Sequence, residues 1–367
     1  MLSARLVGHE IWVREIVAGI RARGPADITV VGHKDLSEQV RSAIGEDCHF
    51  VAGIGKPHLK GALGKMTGNP KDYFEDRMRM AKETARLVER FADADLHIFA
   101  TAVPTVAAGV AMAQKRAKNT SMVFHFSHEE LADKAFLEQY NLLCRFRELA
   151  RDTVSCFTTC PGLAAELQEL GIRARVAPYP FHAGPRPPVT RRKCRRIGLL
   201  GQQRKDKDGG LIWPLVGNLL TDGFDVVLHD SRGLSSVFRH PALTHVNKFL
   251  PSHEFAQLLQ TCDLTIITNE PKNFSHRISG VSLDALASAV PIVVPDNTHM
   301  SRLVRRFNAG TVYDERTPNN VYDAVTRAKL HFADYANGAL QAASWLKDTG
   351  GYTRLANTLL NGVGALE

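Results

Sequence analysis

With 367 residues and 44% hydrophobic content, the chain is globular in composition and has room for two ordinary α/β domains. The net charge of +8 suits anionic partners such as nucleotides, phosphorylated lipids or a membrane surface, and no aromatic-basic stripe accompanies it to argue for nucleic acid. Six cysteines without a Cys-x-x-Cys pair argue for a reduced, cytoplasmic protein and against zinc, the run from Val103 to Ala113 is too short to span a bilayer, and the start of the chain lacks a signal peptide's basic and apolar regions.

Gly8-His9-Glu10 opens a predicted helix with Trp12, Ile16 and Ile20 on one face and Val13 and Val17 beside them. Gly24-Pro25 stops it, and Ile28 to Val31 reads as a buried strand. A parallel α/β domain normally begins with a strand before that helix. Met1 to Val7 is all that is available, so this strand is very short or missing. Gly32 to Gly45 is predicted as a loop and short helix, and Cys48 to Val51 as a strand. The glycine-rich stretch Gly53 to Asn69, with Lys56, His58, Lys60 and Lys65, reads as a surface loop, an anion site being the alternative. A helix is predicted from Tyr73 to Phe91, a strand from Leu96 to Ala100, a helix from Pro104 to Arg116 and a strand from Met122 to Phe126. His125 and His128 fall at the carboxyl end of that last strand, where open α/β sheets place ligands; a satisfied structural histidine is the alternative for each. A helix from Glu130 to Arg151, a strand from Val154 to Thr159, a helix from Gly162 to Leu170 and a strand from Arg175 to Ala177 complete this half.

Pro178 to Pro188 is rich in proline and Thr190 to Arg196 is strongly basic, the composition of an interdomain link. Strand-helix alternation then restarts. Ile197, Leu199 and Leu200 form a predicted strand, Gly201 a tight turn, and Leu211, Ile212, Leu215, Val216, Leu219 and Leu220 recur at helical spacing. Arg204 and Lys207 lie between them. Helix amides and the macrodipole favour an anion at such a turn, and two full charges add to this, so it reads as a phosphate site; a solvated basic loop is the alternative. Further strands are predicted at Asp225 to His229, Thr244 to Phe249, Leu264 to Thr268, Pro291 to Pro295 and Thr311 to Tyr313. Helices are predicted at His253 to Gln260, Gly280 to Ala289 and His299 to Phe307, with mostly helical sequence after them. Ser279, Gly280 and Val281 begin a helix, so their free amides point at an anion, and Asp284 one turn in can accept hydrogen bonds from ligand hydroxyls. For Asp284 the alternative is plain helix-dipole stabilisation, worth about 0.3–1 kcal/mol.

These stretches resemble the GT-B glycosyltransferases, most closely the retaining family-4 type. Gly201-Gln202-Gln203-Arg204-Lys205-Asp206-Lys207 is similar to the family's Gly…Arg…Lys-Gly signature, in which the basic pair holds the donor diphosphate. Asp263 to Ile267, then Ser279 to Pro295, is similar to its strand, acidic helix and Val-Pro-Val-Val strand. Gly8-His9-Glu10 resembles the glycine-rich loop that closes on the donor, and His128-Glu129 falls where many members place a histidine beside the transferred sugar. The resemblance implies an α/β protein with two Rossmann-like doubly wound domains facing a central cleft. Its domains would be an acceptor-binding domain over 1–182, a link over 183–196, a nucleotide-sugar domain over 197–345 and a helix over 346–367 returning to the first domain.

The implied activity is transfer of a sugar from a nucleoside-diphosphate donor to a saccharide or lipid-linked acceptor, with retention. Arg204, Lys207 and His128 would be catalytic, and Gly8, Gly201, Arg277, Ser279, Gly280, Val281 and Asp284 would bind the donor. Cations in place of a metal clamp imply no metal, and the sugar nucleotide is a co-substrate, so no cofactor is expected. The basic loop and the Tyr73 to Phe91 helix leave peripheral association with an anionic inner membrane face open. The family carries two glutamates, one touching the transferred sugar and one the ribose. Here Asp284 holds the second position, and His276, followed by Arg277, the first. That departure keeps open a non-catalytic nucleotide-sugar or glycan-binding protein, or an epimerase or hydrolase on the same frame.

Overall fold

Short apolar runs form parallel strands here because most are followed by a helix that packs on the sheet, and a parallel pair needs such a crossover. The computed structural model describes residues 10–32, 44–45, 48–52, 70–125, 141–181, 193–201, 210–230, 239–246, 250, 252–349 and 352–361. The chain divides into two units, Met1–Pro180 with Tyr352–Glu367, and Phe181–Gly351.

In the first unit, helix α1 (Glu10–Arg21) precedes the parallel pair β1 (Thr29–Gly32) and β2 (His49–Ala52), with Val30 opposite Phe50. Then come α2 (Pro70–Arg90), β3 (Leu96–Ala102), α3 (Pro104–Met112), β4 (Asn119–Phe124), α4 (Leu142–Asp152), β5 (Val154–Thr158), α5 (Pro161–Glu169) and β6 (Ala174–Val176). Strands β3 to β6 form a parallel sheet in sequence order. The predicted Pro104 to Arg116 helix is shorter than its pattern. Ala113 turns extended, at φ −62° and ψ 130°, and Glu89 accepts the Gln114 amide at 2.8 Å. Strand β4 starts earlier than predicted, since Asn119 and Thr120 pair with Leu96 and His97, a long-range choice invisible in local pattern. Residues 126–140 lie outside the described ones, so the predicted Glu130 to Arg151 helix is seen from Leu142 onward. The predicted first strand and the Gly53 to Asn69 loop also lie outside them.

The second unit holds β7 (Arg196–Leu199), α6 (Ile212–Thr221), β8 (Asp225–His229), β9 (Leu243–Val246), α7 (Ser252–Thr261), β10 (Leu264–Ile266) and α8 (Pro271–Phe274). It continues with α9 (Gly280–Ala287), β11 (Ile292–Pro295), α10 (His299–Phe307), β12 (Gly310–Tyr313), α11 (Pro318–Leu330) and α12 (Phe332–Thr349). All six strands are parallel, in the order β12-β11-β10-β7-β8-β9. Its core joins Ile197, Leu199, Leu215, Val216, Leu219, Val226, Leu264, Ile266 and Val293 to Val321 and Val325 of α11. Gly310 lies at φ +143°, where a Cβ would fall 1.9 Å from the Ile292 carbonyl oxygen, so this position admits no side chain.

Helix α13 (Tyr352–Leu360) belongs to the first unit. Leu355 and Leu359 are fully buried in one cluster with Ile11, Trp12 and Ile16 of α1 and Val123 of β4. Ser121 Oγ donates to the Leu359 carbonyl at 2.8 Å, and Arg23 donates to Asn357 and Asn361 at 2.9 Å each.

Candidate functional site

The strand order of the second unit reverses direction between β7 and β10, and open α/β sheets hold ligands outside the carboxyl ends of the strands at such a point. A small recess lies there. Leu199 and Leu200 line it from the end of β7, Ile266, Ile267, Thr268 and Asn269 from the end of β10, and Ser279 and Val281 from the start of α9. Gly201 follows directly, at φ +91° in the left-handed region that a glycine occupies without strain.

Ser279 is the N-cap residue of α9, with extended backbone and no capping bond from its side chain. The first helical bond runs from the Leu283 amide to the Ser279 carbonyl at 3.1 Å. The preceding amides of the turn therefore have no acceptor within the helix, and the positive end of its dipole faces outward. Among the described residues that line the recess, no side chain is ionisable.

Three residues of the lining are polar and mostly buried, with polar side-chain atoms that keep contact with solvent at the recess. Thr268 is 5%, Asn269 2% and Ser279 4% exposed. Polar side chains gathered at the mouth of a recess in a ligand position can hydrogen-bond a polar ligand.

The end of β10 is held firmly. The Ile267 amide makes the last ladder bond, to the Val293 carbonyl at 2.8 Å. Tyr313 Oη donates to the Ile267 carbonyl at 2.8 Å, Arg316 Nη2 donates to the Thr268 carbonyl at 3.0 Å, and Arg316 Nη1 pairs with Glu270. Burial pushes the Tyr313 phenol well above its usual pKa, which keeps it a neutral donor.

Arg302 Nη2 donates to the Ser275 carbonyl at 2.7 Å, fixing the start of the segment that leads to Ser279. Arg277 in that segment is half-buried, its guanidinium carbon 5.1 Å from the centre of the Phe274 ring. His276 is half-buried beside it. Burial, then the charges of Arg302 and His276, push the His299 imidazole down to about 4. Asp284 is half-buried in α9, its carbonyl accepting the Ser288 amide at 2.9 Å.

Of the residues singled out in the sequence, Ser279 and Val281 line the recess, with Gly280 between them and Gly201 beside it. Gly8, His128, Arg204 and Lys207 lie outside the described residues. His125 is buried in the first unit, Nε2 lying 2.7 Å from the Ala100 carbonyl and the ring edge-on to Trp12 at 4.4 Å. Asp263 sits at the opposite, amino end of β10, where one oxygen accepts the Arg195 and Arg196 amides at 3.0 and 2.8 Å. Sequence reasoning passed over Thr268 and Asn269. Their signal was position, as a polar pair closing the strand that ends at the switch point. Among the described residues no group of three His, Cys, Asp or Glu side chains is placed to hold a metal ion, and no helix is long and apolar enough to cross a membrane.

No protein-family model matches the sequence, and no curated protein matches it. Solved structures do. Anabaena HepE in complex with UDP-glucose matches at 14% identity and a TM-score of 0.65, over 100% of this chain and 98% of that one. The glycosyltransferase SnogD of Streptomyces nogalater matches at 17% identity and 0.58, over 96% and 95% of the two chains. Sucrose-phosphate synthase of Thermosynechococcus elongatus matches at 12% identity and 0.65, over 96% and 91%. At these identities the likeness speaks to the fold, and the chain has the two-domain α/β fold of the GT-B glycosyltransferases.

Proposed function

We propose that the protein is a glycosyltransferase that moves a sugar from a nucleoside-diphosphate donor, bound by the Phe181–Gly351 unit, to a saccharide or lipid-linked acceptor bound by the N-terminal unit. The observation that carries this reading is the switch-point recess, where uncapped amides of α9 meet the polar side chains of Thr268, Asn269 and Ser279. The UDP-glucose held by HepE, a protein of the same fold, supports a sugar nucleotide as the ligand.

The chemistry is largely electrostatic. As the bond to the anomeric carbon breaks towards an oxocarbenium ion, negative charge grows on the departing diphosphate. The amides at Ser279, Gly280 and Val281 stabilise that charge, joined by Arg204 and Lys207, which follow β7 in the sequence. In a retaining reaction the acceptor attacks from the leaving-group side and its proton passes to the departing phosphate, so no separate general base is needed. The cations take the place of a divalent metal, and no further cofactor enters. Six cysteines without a Cys-x-x-Cys pair support a reduced, cytoplasmic setting, and the net charge of +8 supports peripheral association at an anionic membrane face.

A panel of nucleotide sugars, tested for thermal stabilisation and then for nucleotide release with and without EDTA, tests the proposal. Stabilisation by one donor, and release of its nucleotide in EDTA, is expected. No stabilisation by any donor refutes the reading. Release that stops in EDTA and returns with magnesium refutes the metal-free part, which matters because Asp206 and Asp208 flank Lys207 in sequence. His276, in the position where the family holds a glutamate, favours a second reading, a nucleotide-sugar-binding protein without turnover. Stabilisation without release or transfer would decide for it.

A further inference from the structure

We infer that Tyr313 and Arg316 are positioning residues of the donor site: from the end of the edge strand β12 and the loop after it they hold the Ile267–Glu270 segment so that Thr268 and Asn269 face the recess. The inference rests on the function proposed above. Strand β12, which ends at Tyr313, lies two strands from β10 with β11 between them. Pairing of β10 with β11 ends with Thr265 opposite Ile292 and Ile266 opposite Val293, followed by the one further bond from the Ile267 amide. Beyond it no further ladder bond to the carbonyls of Ile267 and Thr268 is found among the described residues, and β11 ends in Pro295, which has no amide proton to give. Tyr313 Oη takes the first and Arg316 Nη2 the second, at 2.8 and 3.0 Å, while the Arg316–Glu270 ion pair fixes the residue after Asn269. Asn269 is thereby held on both sides.

Such bracing has a physical reason. A carboxamide at the end of a strand, beside a recess open to water, gains by rotating further out, and the backbone that carries it would follow. Freed, the segment would have to be ordered again whenever a ligand bound, and that lost entropy appears as weaker affinity. Tyr313 suits the task because its buried, neutral phenol donates at any working pH.

The test titrates UDP, GDP, ADP and dTDP into the full chain by calorimetry, well below the melting temperature, and carries the best binder into variants. Tyr313→Phe keeps the ring and removes one donor; it should weaken binding about 3- to 10-fold, and Arg316→Gln, which loses both contacts, about 10-fold or more. Glu270→Gln removes the ion pair on the far side of Asn269 but leaves Arg316 on the Thr268 carbonyl, so it should weaken binding less than Arg316→Gln, by about 2- to 3-fold. Tyr322→Phe removes a phenol–carboxylate bond to Asp222 on the surface and should leave affinity unchanged. Arg316→Lys, able to reach one acceptor, should recover part of the loss. Lower melting temperatures with wild-type affinity in both Tyr313→Phe and Arg316→Gln overturn the inference, since that is what a merely structural brace would give. Should Tyr313→Phe fail to fold, Arg316→Gln, on the loop after β12, decides alone. A wild-type chain that binds none of the four diphosphates overturns the proposed function and takes this inference with it.

Discussion

Replacing Asn269 by leucine should raise the stability of the ligand-free protein and weaken donor binding at the same time. The Asn269 side chain is 2% exposed and has no hydrogen-bond partner among the described residues. Burying an amide without a compensating bond costs about 1–3 kcal/mol in protein mutational data. The recess leaves this amide some access to water, so the lower end applies, about 1 kcal/mol. Leucine would replace it among Leu199, Leu200, Ile266 and Val281, neighbours of its own kind. For a unit the size of Phe181–Gly351, such a gain raises Tm by roughly 2–4 °C. On the ligand side one hydrogen bond is lost, and affinity for the nucleoside diphosphate should fall about 3- to 10-fold. Thermal unfolding without ligand gives the first number, and calorimetric titration the second. A variant that melts lower than the wild type and binds just as well would refute the reasoning, because Asn269 would then serve the fold and not the site.

Arg204→Ala and Lys207→Ala should each lower turnover by about 10²–10³-fold with Tm nearly unchanged, the usual loss when one transition-state donor is removed; wild-type rates in both would dismiss the phosphate assignment. Asp284→Ala should weaken nucleotide binding by roughly 10- to 100-fold, Asp284→Asn less, if the carboxylate accepts ribose hydroxyls; equal affinities with lower stability would leave it a helix-dipole residue. The folded pKa of His299 lies below its ordinary value of 6.5, at about 4, so the folded state resists protonation that the unfolded chain accepts. Its contribution to stability is therefore complete above about 6.5 and is lost as pH falls from there towards 4. Melting temperatures measured across that window should fall less in His299→Gln than in the wild type, and parallel curves would show that another group governs the loss.

What could be seen in the sequence was the part that local pattern encodes. Ile197 to Leu200 and Ile292 to Pro295 are unbroken apolar runs, which central parallel strands require, and Ser279-Gly280 announced the start of α9. What could not be seen depends on partners distant in the chain. Thr268-Asn269 looks like ordinary strand-end punctuation until the sheet order puts it at the reversal point. Tyr313 and Arg316 look like a core aromatic and a surface cation until their donors are found on carbonyls 46 and 48 residues away. Asp263 misleads in the other direction. It belongs to a recognisable stretch, yet it caps the amides of Arg195 and Arg196 at the end of the sheet away from the recess. Nor does helical spacing reveal that α3 stops at Met112, since the residue that catches its outgoing chain is Glu89 on another helix.

The position of α13 sets an order of events during synthesis. Leu355 and Leu359 complete a cluster with Ile11, Trp12 and Ile16, but they are translated some 170 residues after the first unit's other segment has ended at Pro180. At about 5–20 residues per second the ribosome takes roughly ten to thirty seconds to cover that distance. For all of that time the α1 face is without its cover, while the whole of Phe181–Gly351 emerges and is free to fold. The apolar side of α1 is then a natural station for a chaperone. A nascent chain stalled before Tyr352 should be far more open to protease around α1 than the released protein, whereas its second unit should already resist cleavage.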